Sequence, residues 1–317
     1  MRLAILLASL IALCGCQTIE LAKAAPAIPV TAPVPALAST AAAPASPQAI
    51  AAAQPAITPS DPCTVAAGPP PVRPATAPGA TPAGPPTAGG ALAAAPSAPA
   101  ARPAPAALPP ATEPRPRDDN RHKCFVQTAK AGGIDLLFVG DSITDWWRQA
   151  NRGKLEWDKT WAPLNAANFG IAGDTTQGVL WRMQNGELEG FRAKTIVLML
   201  GTNNLRRNEI ADIAAGDGAI VAEFRKRQPQ AKVLILGVFP RGAAPDNEFR
   251  GMIKELNGHL AKLADNKQVF YLDIGPRFLT ADGTLTTEIM ADGLHPTPKG
   301  YEIWSAASID KVKELMK

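Results

Sequence analysis

Five short apolar runs divide the second half of the chain, and amphipathic stretches of helical length separate them. The runs cover residues 135–139, 166–169, 195–200, 232–236 and 269–272. The helical stretches cover residues 143–149, 175–184, 210–227, 247–264 and 298–315. Buried strands that alternate with amphipathic helices are typical of a parallel sheet. We therefore predict a doubly wound α/β fold with five parallel strands and helices on both faces.

The first third of the chain has a different composition. Most of the 32 prolines lie between Pro26 and Pro116, mixed with alanine and few large apolar residues. Such a segment cannot bury enough apolar surface to offset the entropy of ordering it. We predict a disordered, low-complexity linker over residues 16–120, either a semi-rigid spacer or an unselected floppy linker, and one folded domain over residues 124–317.

The first residues predict export. Arg2 precedes an apolar stretch, Leu3 to Leu13, that is too short to span a bilayer and is typical of a signal peptide. The following Leu13-Cys14-Gly15-Cys16 resembles the lipobox of bacterial lipoproteins. That resemblance implies a signal peptide over residues 1–15, lipid on Cys16, and a location in the cell envelope, with Gln17 favouring the outer membrane. Simple secretion is the alternative.

The remaining cysteines and the charge exclude several classes. After processing, Cys63 and Cys124 remain, and the sequence leaves open whether they pair. A net charge of +4, with basic residues spread among acidic ones, shows no nucleic-acid footprint. The three histidines and four cysteines lack the spacing of a zinc site. We expect neither a metal nor another cofactor.

The first apolar run ends in a candidate nucleophile. Val139 is followed by Gly140, Asp141 and Ser142, which indicates a strand entering a tight turn with the serine at its tip. A serine hydroxyl needs an adjacent base to become a nucleophile. Serine at this position would also cap the next helix, and the two roles are compatible. Asp141 is predicted to bind backbone amides of the turn.

The candidate base and its orienting carboxylate lie near the end of the chain. His295 follows Asp292 by three residues in a short polar loop. His122 is assigned to the charged tail and His259 to a solvated helix face, which leaves His295 to accept the serine proton. Asp292 would fix its tautomer, although an aspartate before glycine is also a common turn former.

Two further residues are candidate oxyanion donors. Gly173 follows the second predicted strand, Asn203 the third, and Ser142 the first. The carboxyl ends of parallel strands meet at one edge of the sheet, so these residues should lie together. The Ser142 and Gly173 N–H groups and the Asn203 amide would form an oxyanion hole. Both residues could instead be simple turn or loop residues.

These residues resemble the four sequence blocks of the SGNH (GDSL-like) hydrolases. The similarity covers about residues 134–316 and is greatest to catalytic subunits of the platelet-activating-factor acetylhydrolase type, through 168–204. The resemblance implies a flavodoxin-like order of the five strands. It also implies ester hydrolysis through an acyl-enzyme, with Ser142, Asp292 and His295 as the triad.

The neighbours of these residues indicate a small acyl group. Ile143, Thr202 and Leu294 are predicted to line a short pocket, and the sequence contains no separate lid segment. Five tryptophans lie near the site in sequence; most are expected in the core, although sugar stacking is open. We expect an esterase that removes acetyl groups, on an acetylated glycan. A lysophospholipase or thioesterase, and a non-catalytic envelope binding module, are the alternatives.

Overall fold

The chain folds around a five-stranded parallel sheet. The computed structural model describes residues 106–317. The strands are β1 (Leu136–Gly140), β2 (Ala166–Gly170), β3 (Thr195–Met199), β4 (Lys232–Leu236) and β5 (Val269–Leu272). They are ordered β2-β1-β3-β4-β5, and all neighbouring pairs are parallel. The predicted doubly wound α/β fold is confirmed.

Seven α-helices join and flank the strands within residues 106–317. They are α1 (Asn120–Ala131), α2 (Ser142–Asp145), α3 (Lys154–Thr160), α4 (Thr176–Gln184), α5 (Ile210–Arg227), α6 (Glu248–Leu260) and α7 (Pro298–Leu315). Short 3-10 helices cover Trp146–Arg148, Ala162–Leu164, Ala261–Leu263 and Gly275–Phe278. No helix in this part of the chain is both long and apolar enough to cross a membrane.

Each face of the sheet has its own hydrophobic cluster. Because successive side chains of a strand point to opposite faces, Leu137 and Val139 join one cluster while Leu136 and Phe138 join the other. The first cluster is completed by α1, α4, α5 and α6, and the second by α2, α3 and α7. Helices therefore cover both faces, which leaves the carboxyl edge of the strands accessible.

Two helices were not predicted, and two predicted helices are shorter: the helix predicted over residues 247–264 ends as α6 at Leu260 and continues as the 3-10 helix Ala261–Leu263. The α1 sequence is polar, with only His122, Phe125 and Ala129 buried, so its apolar period is weak. In α3 no residue is fully buried. The helix predicted over residues 143–149 is a single α-helical turn, α2, that continues as the 3-10 helix Trp146–Arg148.

The folded part begins before the predicted boundary. Residues 106–119 lie along the domain: Ala111 is fully buried, Leu108 N–H donates to Arg207 O at 3.1 Å, and Gln177 Nε2 donates to Pro109 O at 2.8 Å. The end of the predicted linker thus packs against the domain through its backbone polar groups. Residues 1–105, with the predicted signal peptide, Cys16 and Cys63, lie outside the described residues.

Two residues of α1 differ from or extend the predictions. His122, which we assigned to the tail, is buried, and its Nδ1 lies 2.9 Å from Glu187 Oε1. Cys124 is disulfide-bonded. The sequence left open whether Cys124 pairs with Cys63, and Cys63 lies outside the described residues.

Candidate active site

Ser142 is presented by a close-packed turn at the end of β1. Asp141 caps α2, its Oδ1 accepting the Ile143 N–H at 2.9 Å, as predicted for that residue. A Cβ on Gly140 would lie 2.5 Å from Met199 O and 2.3 Å from Thr144 Oγ1. Only glycine fits there, so the turn can bring the serine tightly over the end of the sheet.

The Asp292–His295 loop reaches Ser142 from the far end of the chain. Ser142 Oγ lies 2.9 Å from His295 Nε2, and His295 Nδ1 lies 2.6 Å from Asp292 Oδ2. Asp292 Oδ1 also accepts the N–H groups of Leu294 and His295, at 3.1 and 2.8 Å. Three predicted residues separated by 153 positions in sequence therefore form one continuous hydrogen-bonded chain.

The environment tunes both titrating groups toward the charges that base catalysis needs. Burial lowers the pKa of His295 below its ordinary value, against the opposing hydrogen bond to Asp292, and the positive charges of Arg152 and Arg241 lower it further. Burial opposes ionisation of Asp292, but hydrogen bonds from His295 hold its pKa below the ordinary value. At neutral pH the pair is a neutral imidazole beside a carboxylate.

Asp141 lies directly behind the nucleophile and has an unusual pKa. Burial, together with the negative charge of Asp174, raises its pKa to about 7, although the Ile143 N–H opposes this. Its Oδ2 has no hydrogen-bond partner among residues 106–317. Oδ1 caps the helix and Oδ2 forms no hydrogen bond in the described part of the chain, as expected for a carboxyl with a structural role.

The predicted oxyanion donors each keep a free N–H. Asn203 Nδ2 donates one hydrogen to Asp174 O at 2.8 Å, which leaves the second available. The N–H groups of Ser142 and Gly173 donate no hydrogen bond within the described part of the chain. Gly173 has φ +76° and is exposed, with open space around its Cα. These groups follow β1, β2 and β3 at one sheet edge.

A buried ion network supports the loop that carries Gly173. Arg182 is fully buried, donates from Nε to Asp174 Oδ2 at 2.9 Å and from Nη2 to Phe169 O at 3.1 Å, and pairs with Glu187 through Nη1. Glu187 in turn contacts His122. Because Asp174 O accepts from Asn203, the network fixes the backbone that orients both oxyanion donors.

The three predicted pocket residues differ in exposure. Ile143 is buried in the second hydrophobic cluster, and its carbonyl accepts from the Tyr301 hydroxyl at 2.7 Å. Thr202 is also buried, and its Oγ1 has no partner among residues 106–317. Leu294 is half-buried against the same cluster. Among these side chains, Leu294 is the one with substantial exposure beside the triad.

The tryptophans divide between core and site. Trp147 and Trp161 are fully buried, and Trp157 is half-buried against the core. Trp181 packs on His122, with ring centroids 4.9 Å apart. Trp146 instead stacks on His295, with centroids 3.9 Å apart. Core packing was therefore the right expectation for most of them, and the contact of Trp146 with the imidazole was missed.

Two arginines beside His295 were also missed. Arg152 donates from Nη1 to Pro296 O at 3.2 Å, and its guanidinium lies 4.9 Å from the Trp146 ring centroid. Arg241 Nη1 donates to Thr202 O at 3.4 Å. Arg241 follows β4, so the same edge argument that located Asn203 applied to it. Both arginines lie outside the Asp292–His295 loop, and the positive charge of each lowers the pKa of His295.

The fold, with Ser142, His295 and Asp292 joined by hydrogen bonds at the carboxyl edge of the sheet, defines a carboxylic ester hydrolase. The GDSL-like Lipase/Acylhydrolase family model matches residues 138–303. This protein therefore belongs to the GDSL-like lipase/acylhydrolase family, in agreement with the resemblance in its sequence.

Known relatives agree with this assignment. The chain is 43% identical over 186 residues to platelet-activating factor acetylhydrolase IB subunit alpha2 of Rattus norvegicus, covering 57% of this chain and 77% of that protein. It is 40% identical over 181 residues to the human alpha1 subunit, covering 57% and 76%. A Bacteroides fragilis crystal structure, described as a proposed acylhydrolase, shares the fold with a TM-score of 0.53 at 18% identity, covering 63% and 100%.

Proposed function

We propose that this protein is a serine esterase that removes short acyl groups, above all acetyl, from O-esters through an acyl-enzyme on Ser142. The observation that carries the proposal is the hydrogen-bonded chain from Ser142 Oγ through His295 to Asp292. This arrangement supplies a nucleophile, its base and the group that orients the base.

The first half-reaction forms the acyl-enzyme. Ser142 Oγ attacks the ester carbonyl while His295 Nε2 takes its proton, and Asp292 stabilises the imidazolium. The carbonyl oxygen becomes an oxyanion that accepts from the free N–H groups of Ser142, Gly173 and Asn203. Collapse breaks the bond to the leaving alcohol, and His295 returns the proton to that alcohol.

The second half-reaction releases the acid. His295, now neutral again, takes a proton from a water molecule that attacks the acyl-enzyme carbonyl. The same donors receive the oxyanion, and the proton then passes from His295 to Ser142 Oγ as the carboxylic acid leaves. The free enzyme is restored with one ester bond hydrolysed.

Two observations support a short acyl group. The relatives at 40–43% identity are named as acetylhydrolases. Ile143 and Thr202, which adjoin the nucleophile and Asn203 in sequence, are both buried, so the chain offers little open apolar surface there. A long acyl chain would need such a surface to bury its methylene groups.

For the acyl acceptor we propose an acetylated saccharide outside the cytoplasm. The support comes from the sequence alone: the export-type leader, the lipobox-like residues before Cys16 and the proline-rich linker. On this proposal lipid on Cys16 anchors the protein in the cell envelope. Palmitate labelling of the wild type and of Cys16→Ser tests the anchor separately from the activity.

A chain-length series tests the esterase. With the full chain, 4-nitrophenyl acetate should be cleaved much faster than 4-nitrophenyl octanoate, and Ser142→Ala should abolish both activities. A fluorophosphonate probe should label the wild type at Ser142 and leave Ser142→Ala unlabelled. Equal or faster turnover of the octanoate would favour a lysophospholipase or thioesterase. An unlabelled wild type without esterase activity would contradict the proposal altogether.

A further inference from the structure

The segment after β4 places an arginine beside the catalytic loop. Arg241 lies beyond the carboxyl end of the strand, on the edge where Ser142 and Asn203 emerge. The next residue, Gly242, donates its N–H to Gly293 O at 2.8 Å, in the loop between Asp292 and His295. The backbone of Arg241 is therefore attached directly to the loop that carries the base.

The guanidinium of Arg241 is held in one orientation. Its Nη1 reaches Thr202 O at 3.4 Å, next to Asn203, and its central carbon lies 4.1 Å from the Phe249 ring centroid. A cation over an aromatic face is attracted by the ring quadrupole, and the contact aligns the planar group. Arg250 supports the segment from outside by donating to the carbonyls of Arg241 and Gly242, at 3.0 and 2.9 Å.

This positive charge lacks a counterion. Within residues 106–317 the half-buried Arg241 forms no ion pair, whereas Arg206 pairs with Glu248 and Arg182 with Asp174. Burial and the charge of Arg206 lower the pKa of Arg241, and the carboxylates of Asp292 and Asp141 only partly oppose this. A half-buried, uncompensated guanidinium is costly unless something binds it.

Its surroundings reinforce the charge. Arg206 stacks on the same Phe249 ring, 4.8 Å from the centroid. Arg152 lies beside Trp146 on the His295 loop, and it also forms no ion pair within the described residues. The nearby acidic groups are engaged elsewhere: Asp292 with His295, and Glu248 with Arg206. The mouth of the site is therefore electropositive.

We propose that Arg241 binds an anionic group, a carboxylate or a phosphate, carried by the ester substrate, and so selects esters of acidic molecules. The proposal rests on the proposed attack of Ser142 on an ester. The guanidinium fork matches planar carboxylate and phosphate oxygens in a bidentate pair, which an ammonium cannot reproduce. An anion there neutralises the charge of Arg241 while the ester carbonyl lies toward Asn203.

Matched pairs of charged and neutral ester substrates test this proposal. The substrates are 3- and 4-acetoxybenzoate and their methyl esters, whose acetyl groups are alike and whose charges differ. For the phosphate source, 4-acetoxyphenyl phosphate is compared with methyl 4-acetoxybenzoate as its neutral partner. The enzymes are the full-length wild type, Arg241→Gln, Arg241→Lys and Arg192→Gln. Arg192 is exposed at the amino end of β3, so its variant removes the same charge far from the site. Assays run at pH 8, above the titration of His295.

The measured quantity is the ratio of kcat/KM for the anionic ester to that for its neutral partner. Arg241→Gln should lower this ratio about tenfold or more, mainly through KM, as expected for losing a charge-assisted hydrogen bond. The ratio for Arg241→Lys should fall between those of the wild type and Arg241→Gln, and the ratio for Arg192→Gln should equal that of the wild type. Added salt should narrow the wild-type ratio. The anion, carboxylate or phosphate, whose ratio falls more in Arg241→Gln is the one that Arg241 binds in the substrate.

Equal losses on charged and neutral esters, or a ratio insensitive to Arg241 for both anions, would overturn the proposal. If Arg241→Gln fails to fold, the Arg241→Lys ratio decides, because a ratio equal to that of the wild type would exclude bidentate binding. A wild type that cleaves none of these esters, or Ser142→Ala that cleaves them as well as the wild type, would instead refute the esterase mechanism.

Discussion

The indole of Trp146 lies almost parallel to the imidazole of His295, with ring centroids 3.9 Å apart and planes 28° apart. Trp146 is half-buried and lies four residues after Ser142, so the 3-10 helix that continues α2 beyond the nucleophile provides one wall for the base. The stacked ring limits the rotation of the imidazole and removes water from one of its faces. Both effects influence the proton transfer from Ser142.

The first prediction concerns pH. Because burial and the positive charges of Arg152 and Arg241 lower the pKa of His295, kcat/KM should rise with pH through a pKa below the ordinary 6.5 and then level off. Arg152→Gln removes one of these charges, so the rise in kcat/KM on the acidic side of the profile (the acidic limb) should move to higher pH. Arg192→Gln should leave the acidic limb where it is in the wild type. The position of the acidic limb is measured from kcat/KM for 4-nitrophenyl acetate between pH 4.5 and pH 9. A wild-type limb above 6.5 would contradict the burial argument.

The second prediction concerns the stacked ring itself. Trp146→Ala should lower kcat roughly two- to tenfold, the size expected from an aromatic contact, and should move the acidic limb upward because the imidazole becomes better hydrated. Trp146→Phe should retain most of the rate and the limb position. Trp181→Phe, in which the altered ring packs on His122 instead, is the matched control. A lower rate with an unmoved limb in Trp146→Ala would show that the indole does not desolvate His295.

The prediction of the fold from sequence succeeded where burial produced a clear period. The bounds of α5, α7, β4 and β5 coincide with those predicted, because long amphipathic stretches and short apolar runs mark them. The sequence could not reveal α1, because Phe125 and Ala129 are its only buried apolar residues and its third buried residue, His122, contacts Glu187. Tertiary pairing overrides local pattern there.

The candidate site shows the same division. The residues Ser142, His295 and Asp292 were identifiable because their chemistry is specific and they stand next to strand ends or turns. The contact of Trp146 was not identifiable, since a tryptophan is usually a core residue. Arg241 follows β4 and was open to the sheet-edge argument, but an arginine is usually a surface residue and it was not singled out. Only the packing of the His295 loop against β1 and β4 segments brings these two side chains to the imidazole.

The third prediction tests the oxyanion hole. Asn203→Ala should lower kcat on 4-nitrophenyl acetate about 10²- to 10³-fold with little change in KM, because the lost N–H acts mainly on the developing oxyanion. Asn203→Asp, which replaces a donor by a negative charge, should be at least as inactive. The melting temperature should change little, since only the 2.8 Å hydrogen bond to Asp174 O is lost. If Asn203→Ala raised KM and left kcat unchanged, Asn203 would not be part of the oxyanion hole.

The fourth prediction concerns the ion network under Gly173. Arg182→Met leaves Asp174 and Glu187 buried without their partner, which should destabilise the fold by about 3–5 kcal/mol. The melting temperature should fall by roughly 6–20 °C in a domain of this size. Exposed Arg192→Met serves as the control and should leave it nearly unchanged. If Arg182→Met has the melting temperature of the wild type, the ion network does not stabilise the loop that carries Gly173. The network would then not orient Asn203 either.

The fifth prediction follows from Asp217 in α5. Its carboxyl is buried, neither oxygen has a partner in the described chain, and burial, aided by the charge of Asp141, raises its pKa well above 3.8. Below 3.8 the group is protonated in both folded and unfolded chains. As pH rises, the unfolded chain releases the proton first, so the free energy of unfolding falls with pH until the raised pKa is passed.

Asp217→Asn cannot release this proton, so its melting temperature relative to the wild type should rise as the pH is raised from 4 to 7. The limiting slope for one such group is about 1.4 kcal/mol per pH unit. Exposed Asp246→Asn should follow the wild type at every pH. A constant difference between Asp217→Asn and the wild type would mean that the buried carboxyl ionises as easily in the folded chain as in the unfolded one, which requires a partner for its oxygens.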